Sequence, residues 1–139
     1  MTAIDYPALE GEMISVEGLK LTLYRCTAGK VSIGVGRNLE DRGISEDEAR
    51  YMVRNDIKII EHELDAAIPW WRDLSGARQR AIINMAFMGV PRLLQFKHML
   101  AALRVGDWKQ AADEALNSKW ARDVQPARVE MVRRLLVEG

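Results

Sequence analysis

The segment from Ser45 to Ala67 most constrains how this chain can fold. Ser45 and Glu48 have the spacing of a capping box, in which each side chain satisfies the other residue's backbone N–H at a helix start. Pro69 ends the pattern, because proline has no N–H and disfavours helix in the residue before it. Between these points, apolar residues recur with the helical period over about six turns, at Ala49, Met52, Val53, Ile57, Ile60, Leu64 and Ala67. In a chain of 139 residues, we expect so long a helix to join two lobes.

Composition excludes several classes of protein. The apolar share of 48% is enough for a core, and a formal net charge of zero argues against nucleic acid as the main ligand. With one cysteine, Cys26, no internal disulfide is possible. His62 and His98 lie far apart without metal-ligand spacing, so we expect no metal and no cofactor. Neither a signal peptide nor a long apolar run is recognisable, so we expect no membrane insertion.

The residues before position 18 predict a helix with an acid at its end. Pro7 suits a first helical position. Gly18 can adopt the left-handed conformation that ends helices, which leaves Glu17 at the last turn. We expect one face of this helix to be buried, formed by Leu9, Met13 and Val16.

A hairpin follows, and it carries the candidate chemistry. Leucines alternate with polar residues from position 19 to 24, positions 25–29 resemble a turn, and positions 31–35 read as the return strand. Glu17, Cys26 in the turn and Ser32 on the second strand form a candidate catalytic group. The structural alternatives are a solvated acid, an inert buried thiol and a hydroxyl that satisfies hairpin backbone groups.

The remainder reads as a series of helices. Ser75 caps a helix that runs to Met88 and is apolar nearly all round, so we expect it to be the central buried helix of the second lobe. Asn84 in its middle needs hydrogen-bond partners. Shorter helices follow, and Pro126 opens the last one. Core packing is the preferred reading of Trp70, Trp71, Trp108 and Trp120. The predicted fold class is α+β, predominantly helical.

Several motifs occur in order along almost the whole chain. They are Glu-Gly-Leu-x-Leu-x-x-Tyr at 17–24, Gly-x-x-Ser-Ile-Gly-x-Gly at 29–36, Ser-x-Asp-Glu-Ala at 45–49, Arg-Ala-Ile-Ile-Asn-Met-Ala-Phe at 80–87, Trp-x-x-Ala-Ala at 108–112, Ser-Lys-Trp at 118–120 and Pro-x-Arg at 126–128. In these features the chain resembles the T-even phage lysozyme family, the phage-type muramidases. The resemblance implies a single lysozyme-like domain over 1–139. Its parts are a hairpin lobe at about 18–44, a connecting helix at about 45–67, and a helical lobe at about 68–139 that includes the N-terminal helix.

The resemblance also implies a reaction and a set of site residues. The reaction is hydrolysis of the β-1,4 bond between N-acetylmuramic acid and N-acetylglucosamine in peptidoglycan. Glu17 matches the general acid, Cys26 takes a position that is often Asp, and Ser32 replaces a Thr. The substrate-binding positions correspond to Asn38, Phe87, Met99, Glu114 and Arg128.

Two further departures concern the neighbourhood of the hairpin. The segment after Gly36 is shorter than in the T-even enzyme. Arg37 stands where the family has a His, and the acidic partner of that His corresponds to Asp56. We therefore expect an ion pair between Arg37 and Asp56.

The role of Cys26 stays open at this stage. A free thiol titrates near about 8.5, so only a minority is thiolate at neutral pH unless neighbours favour the charged form. The thiol can help activate a water, attack the anomeric carbon itself, or be inert. A general acid such as Glu17 must in turn carry its proton at the working pH, which burial favours and a nearby cation such as Arg128 opposes.

Two rival functions share the fold. The first is a lytic transglycosylase, in which a hydroxyl of the muramic acid attacks and no water is activated. The second is a non-catalytic phage tail or wall-binding module. The preferred reading is a monomeric phage endolysin made in the host bacterial cytoplasm, whose partner is peptidoglycan and which reaches the wall through a holin-type lesion.

Overall fold

Helices dominate the architecture, with one small sheet near the N-terminus. A computed structural model of the chain describes residues 2–139. The α-helices in that part are α1 Tyr6–Glu17, α2 Leu39–Arg42, α3 Glu46–Ala67, α4 Gly76–Ala86, α5 Val90–Leu93, α6 Lys97–Arg104, α7 Trp108–Leu116, α8 Lys119–Asp123 and α9 Pro126–Glu138, with a 3₁₀ helix at Pro69–Asp73. The strands are β1 Lys20–Arg25, β2 Val31–Gly34 and β3 Arg37–Asn38, antiparallel in the order β1-β2-β3. The predicted α+β, predominantly helical class is confirmed.

The chain divides into two compact units. The N-terminal unit ends at Tyr51 and contains α1, the sheet and α2, and the C-terminal unit is Met52–Gly139. The boundary falls inside α3. No helix in residues 2–139 combines the length and the apolar character that a membrane span requires.

The long helix begins and ends where the sequence predicts. The Glu48 backbone N–H donates to Ser45 Oγ at 3.1 Å, and the Ser45 N–H donates to Glu48 Oε1 at 2.8 Å, which is the reciprocal pair of a capping box. Pro69 opens the 3₁₀ helix that follows. Burial along α3 is uneven, since Met52 is 47% exposed whereas Leu64 is fully buried.

The apolar core lies entirely in the C-terminal unit. Every buried apolar side chain in the described part of the chain falls between Leu64 and Leu136. The predicted central helix α4 supplies four of them, Ala81, Ile82, Met85 and Ala86, which confirms its buried position. Burying a Leu, Ile or Met side chain contributes about 1.5–3 kcal/mol each, so this unit has an apolar source of stability.

The tryptophans divide between core and rim. Trp71 is fully buried and Trp120 is 7% exposed, which confirms the packing role predicted for both. The Trp71 Nε1–H donates to Asp65 Oδ1 at 2.9 Å, so its polar edge is satisfied. Trp108 is half-buried, with the Arg78 guanidinium 3.7 Å from the centroid of its ring.

The expected buried stripe of α1 is wrong. Leu9 is 41%, Met13 42% and Val16 76% exposed, and α1 has no buried residue. The periodicity placed these residues on one face without identifying a partner for that face. The three-stranded sheet and the single turn of α2 give the N-terminal unit too little apolar surface to cover it.

Polar contacts tie the N-terminal unit together instead. Arg37 donates to both carboxylate oxygens of Glu48 at 2.8 Å and to the Gly43 carbonyl at 3.1 Å. This arrangement corrects the expected pairing with Asp56, which lies two helical turns further along α3 and has no ion-pair partner within residues 2–139. Glu48 is already fixed by the capping box, so it presents a preoriented acceptor to Arg37.

This contact predicts acid sensitivity. Hydrogen bonds from Arg37 and from the Ser45 backbone lower the pKa of Glu48 from 4.5 to about 2. A depressed carboxyl pKa stabilises the fold above the unfolded value and loses that effect as pH falls from about 5 towards 2. We expect Glu48→Gln to lower the melting temperature at pH 7 and to flatten its decline between pH 5 and 2.

Glu46→Gln is the matched control for this measurement. Glu46 is in the same helical turn, and its contact with Arg50 is an exposed ion pair at 3.5 Å, which contributes little. Parallel pH dependences of the melting temperature in Glu48→Gln and the wild-type protein would contradict the assignment.

Candidate active site

Glu17 lies at the C-terminal end of α1, as predicted. The Gly18 N–H donates to the Ile14 carbonyl at 2.8 Å, and Gly18 has a φ of 81°, so glycine ends the helix here. The Glu17 side chain is exposed. A carboxylate at a helix C-terminus opposes the helix dipole, so this position does not serve helix stability.

The Glu17 carboxylate lies against Gly36, which immediately precedes β3. A Cβ atom placed on Gly36 would be 2.7 Å from Glu17 Oε2, and Gly36 has a φ of 66°. Glycine is thus favoured twice at this position, by the left-handed backbone and by the space that the acid occupies. The contact brings the end of α1 to the sheet.

Cys26 begins the tight turn between β1 and β2. Its N–H donates to the Lys30 carbonyl at 3.0 Å, and its carbonyl accepts from the Gly29 N–H at 2.8 Å. The thiol is half-buried. Hydrogen bonds from the backbone of Lys30 and Ala28, with a smaller one from the Ser32 side chain, lower the pKa of Cys26 against the opposing effect of desolvation.

Ser32 lies in the central strand and is 1% exposed. It faces Tyr24 in β1 and Asn38 in β3, and its Oγ donates to the Lys30 carbonyl at 3.1 Å. A hydroxyl has one hydrogen, so a bond from Ser32 to a thiolate competes with the bond to Lys30. The structure therefore brings Cys26 and Ser32 together, whereas Glu17 makes its close contact at Gly36.

A carboxylate that the sequence reading missed supports this turn. Glu40 Oε1 accepts a hydrogen bond from the Val31 N–H at 2.8 Å and lies 3.6 Å from the Arg25 guanidinium. It thus contacts both strands beside the Cys26 turn. Its place in a polar stretch without periodicity gives no signal of this contact.

The Asn38 side chain forms hydrogen bonds with Asp41, three residues further along the chain. Its side chain caps α2, with Oδ1 accepting from the Asp41 N–H at 3.1 Å and Nδ2 donating to Asp41 Oδ2 at 2.9 Å. The segment after Gly36 is thus the short strand β3 followed by one helical turn. Substrate binding by Asn38 stays a prediction.

The other predicted substrate-binding residues lie in the C-terminal unit. Phe87 is 45% exposed and lines a groove of about 250 Å³. Met99, which is almost fully buried, and Glu114 line another of about 300 Å³. Arg128 Nε donates to Asn84 Oδ1 at 2.7 Å, which supplies the partner that Asn84 was expected to need. Their contact with substrate stays a prediction.

Comparison with known proteins assigns the family. The sequence profile described as Phage lysozyme matches residues 14–135. A probable T4-type lysozyme 1 of Dictyostelium discoideum is 30% identical over an alignment covering 75% of this chain and 79% of that protein. The pre-baseplate central spike protein Gp5 of Enterobacteria phage T4 is 26% identical over 88% of this chain, which spans only 26% of that protein.

The sequence matches, together with the fold, define the class as a lysozyme-type glycoside hydrolase. Within that class, the chain belongs to the phage lysozyme family. The sequence-based resemblance is thereby confirmed.

The contact between Gly36 and Glu17 predicts that a side chain at position 36 displaces the Glu17 carboxylate. We expect Gly36→Ala to push the flexible carboxylate away from its position and so to reduce the rate of peptidoglycan clearing. Gly34→Ala is the matched control, because Gly34 has a similar φ of 71° but nothing within 4 Å of its Cβ position. Both substitutions carry the backbone cost of about 1–2 kcal/mol. Equal clearing rates in the two variants at equal stability would contradict the role of the contact.

The hydrogen bonds to Cys26 predict its reactivity. We expect the pH midpoint for alkylation of the thiol by iodoacetamide to lie below that of a free cysteine. Ser32→Ala should raise this midpoint by removing one of the bonds that favour the thiolate, and Ser32→Thr, which keeps a hydroxyl, should restore it. An unchanged midpoint in Ser32→Ala would show that the backbone bonds of Lys30 and Ala28 set the value alone.

Proposed function

We propose that this protein is a peptidoglycan muramidase that hydrolyses the β-1,4 bond between N-acetylmuramic acid and N-acetylglucosamine. Glu17 acts as the general acid, assisted by Cys26 and Ser32. The observation that carries the proposal is the position of Glu17, at the end of α1 against a glycine that leaves room for its carboxylate. Membership of the phage lysozyme family supports it.

The chemistry assigns each side chain a step. Glu17 gives its proton to the departing glycosidic oxygen, and positive charge develops at the anomeric carbon. Cys26, whose pKa is lowered by backbone hydrogen bonds, then either takes a proton from an attacking water or attacks that carbon itself. Ser32 holds the thiolate or the water through its hydroxyl. The first route inverts and the second retains the configuration at the anomeric carbon.

Substitution of the acid is the decisive test. We expect Glu17→Gln to slow the clearing of outer-membrane-stripped Gram-negative cells by about 10²–10⁴-fold, the usual contribution of a general acid. Glu12→Gln removes an exposed acid from the same helix and should clear at the wild-type rate. Wild-type clearing by Glu17→Gln would reject Glu17 as the acid.

Cysteine variants decide between the roles of the thiol. Cys26→Ala should lose more activity than Cys26→Ser if the thiol positions a water, since a hydroxyl can still hold it. Both should lose activity alike if the thiol attacks carbon. Full activity in both variants would remove Cys26 from the mechanism.

Similarity to a pre-baseplate central spike protein supports a second candidate function, a non-catalytic phage tail or wall-binding module. The T4 pre-baseplate central spike protein matches 88% of this chain, which spans only 26% of that protein, so a segment similar to this chain occurs within a much longer spike protein. A wall-binding tail module would remain on purified cell walls without clearing them, whereas a muramidase clears them. A lytic transglycosylase would clear them and leave anhydromuramic ends, which mass spectrometry of the digest detects.

The setting of the enzyme is part of the proposal. We propose production in the host bacterial cytoplasm and release to the wall through a holin-type lesion, as a monomer. The family assignment supports this setting.

A further inference from the structure

The central strand β2 extends past its partner β3 at the end nearest the Cys26 turn. β3 is two residues long, and its pairing with β2 stops at Ser32. The Val31 N–H therefore has no strand partner on that side, and Glu40 Oε1 accepts its hydrogen bond at 2.8 Å. A backbone donor at a strand end needs an acceptor, and here a side chain of α2 provides it.

The same Glu40 oxygen faces a cation that contacts the turn. Glu40 Oε1 lies 3.6 Å from Arg25 Nη1, which donates to the Gly29 carbonyl at 2.9 Å. The Arg25 and Glu40 side chains are 71% and 40% exposed, and such an exposed ion pair contributes little to the free energy of unfolding. What the pair restrains is the direction of the Gly29 carbonyl.

The Gly29 carbonyl belongs to the same peptide group as the Lys30 N–H. This peptide bond is trans, and a planar trans peptide directs its C=O and its N–H to opposite sides. A guanidinium that holds the oxygen therefore also sets the direction of the Lys30 N–H. That N–H is one of the hydrogen-bond donors to the Cys26 thiol. A cation on the carbonyl also polarises the peptide group, which makes its N–H a stronger donor.

We propose that Arg25 and Glu40 are positioning residues for Cys26. Glu40 holds Arg25, and Arg25 holds the Gly29 carbonyl. The Lys30 N–H is thereby directed at the thiol, so both side chains act through the backbone and not on the substrate. This inference rests on the proposed function, because the direction of the donor affects the reaction only if Cys26 takes part in it.

A simple charge effect of Glu40 would have the opposite sign. Removal of a negative charge near a thiol favours the thiolate and lowers the pH midpoint of its alkylation. Loss of the contact that holds Arg25 weakens the directed donor and raises this midpoint. Glu40→Gln keeps an oxygen for the Val31 N–H and loses the charge that holds Arg25, so the direction of the change separates the two effects.

Alkylation by iodoacetamide over a range of pH tests the proposal. We expect Glu40→Gln and Arg25→Met each to raise the midpoint of Cys26 by about half a pH unit, the size of one partly exposed hydrogen bond. The double variant should match Arg25→Met alone, because Glu40 acts through Arg25. Melting temperatures should stay near the wild-type value, since both side chains lie at the surface.

Asp41→Asn is the matched control. Asp41 neighbours Glu40 in α2, and its Oδ1 accepts from Lys30 Nζ at 3.3 Å, so it contacts the side chain of the turn residue and not the turn's backbone. This variant removes one negative charge beside the same turn and should leave the midpoint unchanged or lower it. An unchanged or lowered midpoint in Glu40→Gln would overturn the proposal, as would additive shifts in the double variant.

Failure of the positioning role and failure of the enzyme are distinguishable, because alkylation needs no substrate. A raised midpoint in Glu40→Gln, in a protein that does not clear cell walls, would keep the positioning of the thiol and reject the muramidase proposal. Wall clearing by the wild-type protein with an unchanged midpoint in Glu40→Gln would do the opposite. In an active enzyme, the pH dependence of clearing should move with the midpoint, and a clearing profile that stays in place would overturn the role of the pair in the reaction.

Discussion

The Glu48 carboxylate accepts hydrogen bonds from two parts of the N-terminal unit, and the placement of the sheet depends on it. Oε1 accepts from the Ser45 N–H at the start of α3, and both oxygens accept from the Arg37 guanidinium in β3. Arg37 also donates to the Gly43 carbonyl, so the connection between strand and helix is fixed at both ends. An isolated surface ion pair contributes little, but this one is bidentate and its acceptor is held by a helix cap. Since the unit has no buried apolar residue in its described part, such directional contacts stabilise it, whereas apolar packing stabilises the C-terminal unit.

The two units therefore hold their residues by different physical means. In the C-terminal unit a continuous apolar core surrounds α4, and it holds the Asn84 and Arg128 pair between α4 and α9. In the N-terminal unit the turn of Cys26 depends on Glu40, on its own backbone bonds and on Ser32. Segments with few buried apolar contacts open locally at a lower free energy than a packed core. The candidate catalytic residues thus lie in the unit that opens more easily.

Local rules in the sequence predicted most elements, because each is decided within a few residues. The capping box at Ser45, the helix end at Gly18 and the break at Pro69 need no knowledge of the rest of the chain.

The predictions failed where the contact partner of a residue or of a helix face had to be identified. The stripe of α1 has the right period, yet periodicity cannot say what covers a face. Arg37 pairs with Glu48, which the capping box already orients, and nothing in the sequence indicates that this acid and not Asp56 is its partner. The contact of Glu17 with Gly36 depends on a backbone angle and a distance, and neither can be inferred from the separation of the two residues in the sequence.

A cysteine at the position that is often aspartate changes what the surrounding turn has to supply. A carboxylate is ionised at neutral pH without assistance, whereas a thiol becomes charged only when donors favour the thiolate. The backbone of Lys30 and Ala28 provides those donors, and Ser32 adds one more. The Ser32 hydroxyl is buried and has one hydrogen, which otherwise binds the Lys30 carbonyl. Ionisation of Cys26 therefore competes with a bond that holds the turn, and this competition couples the charge of the thiol to the geometry of the hairpin.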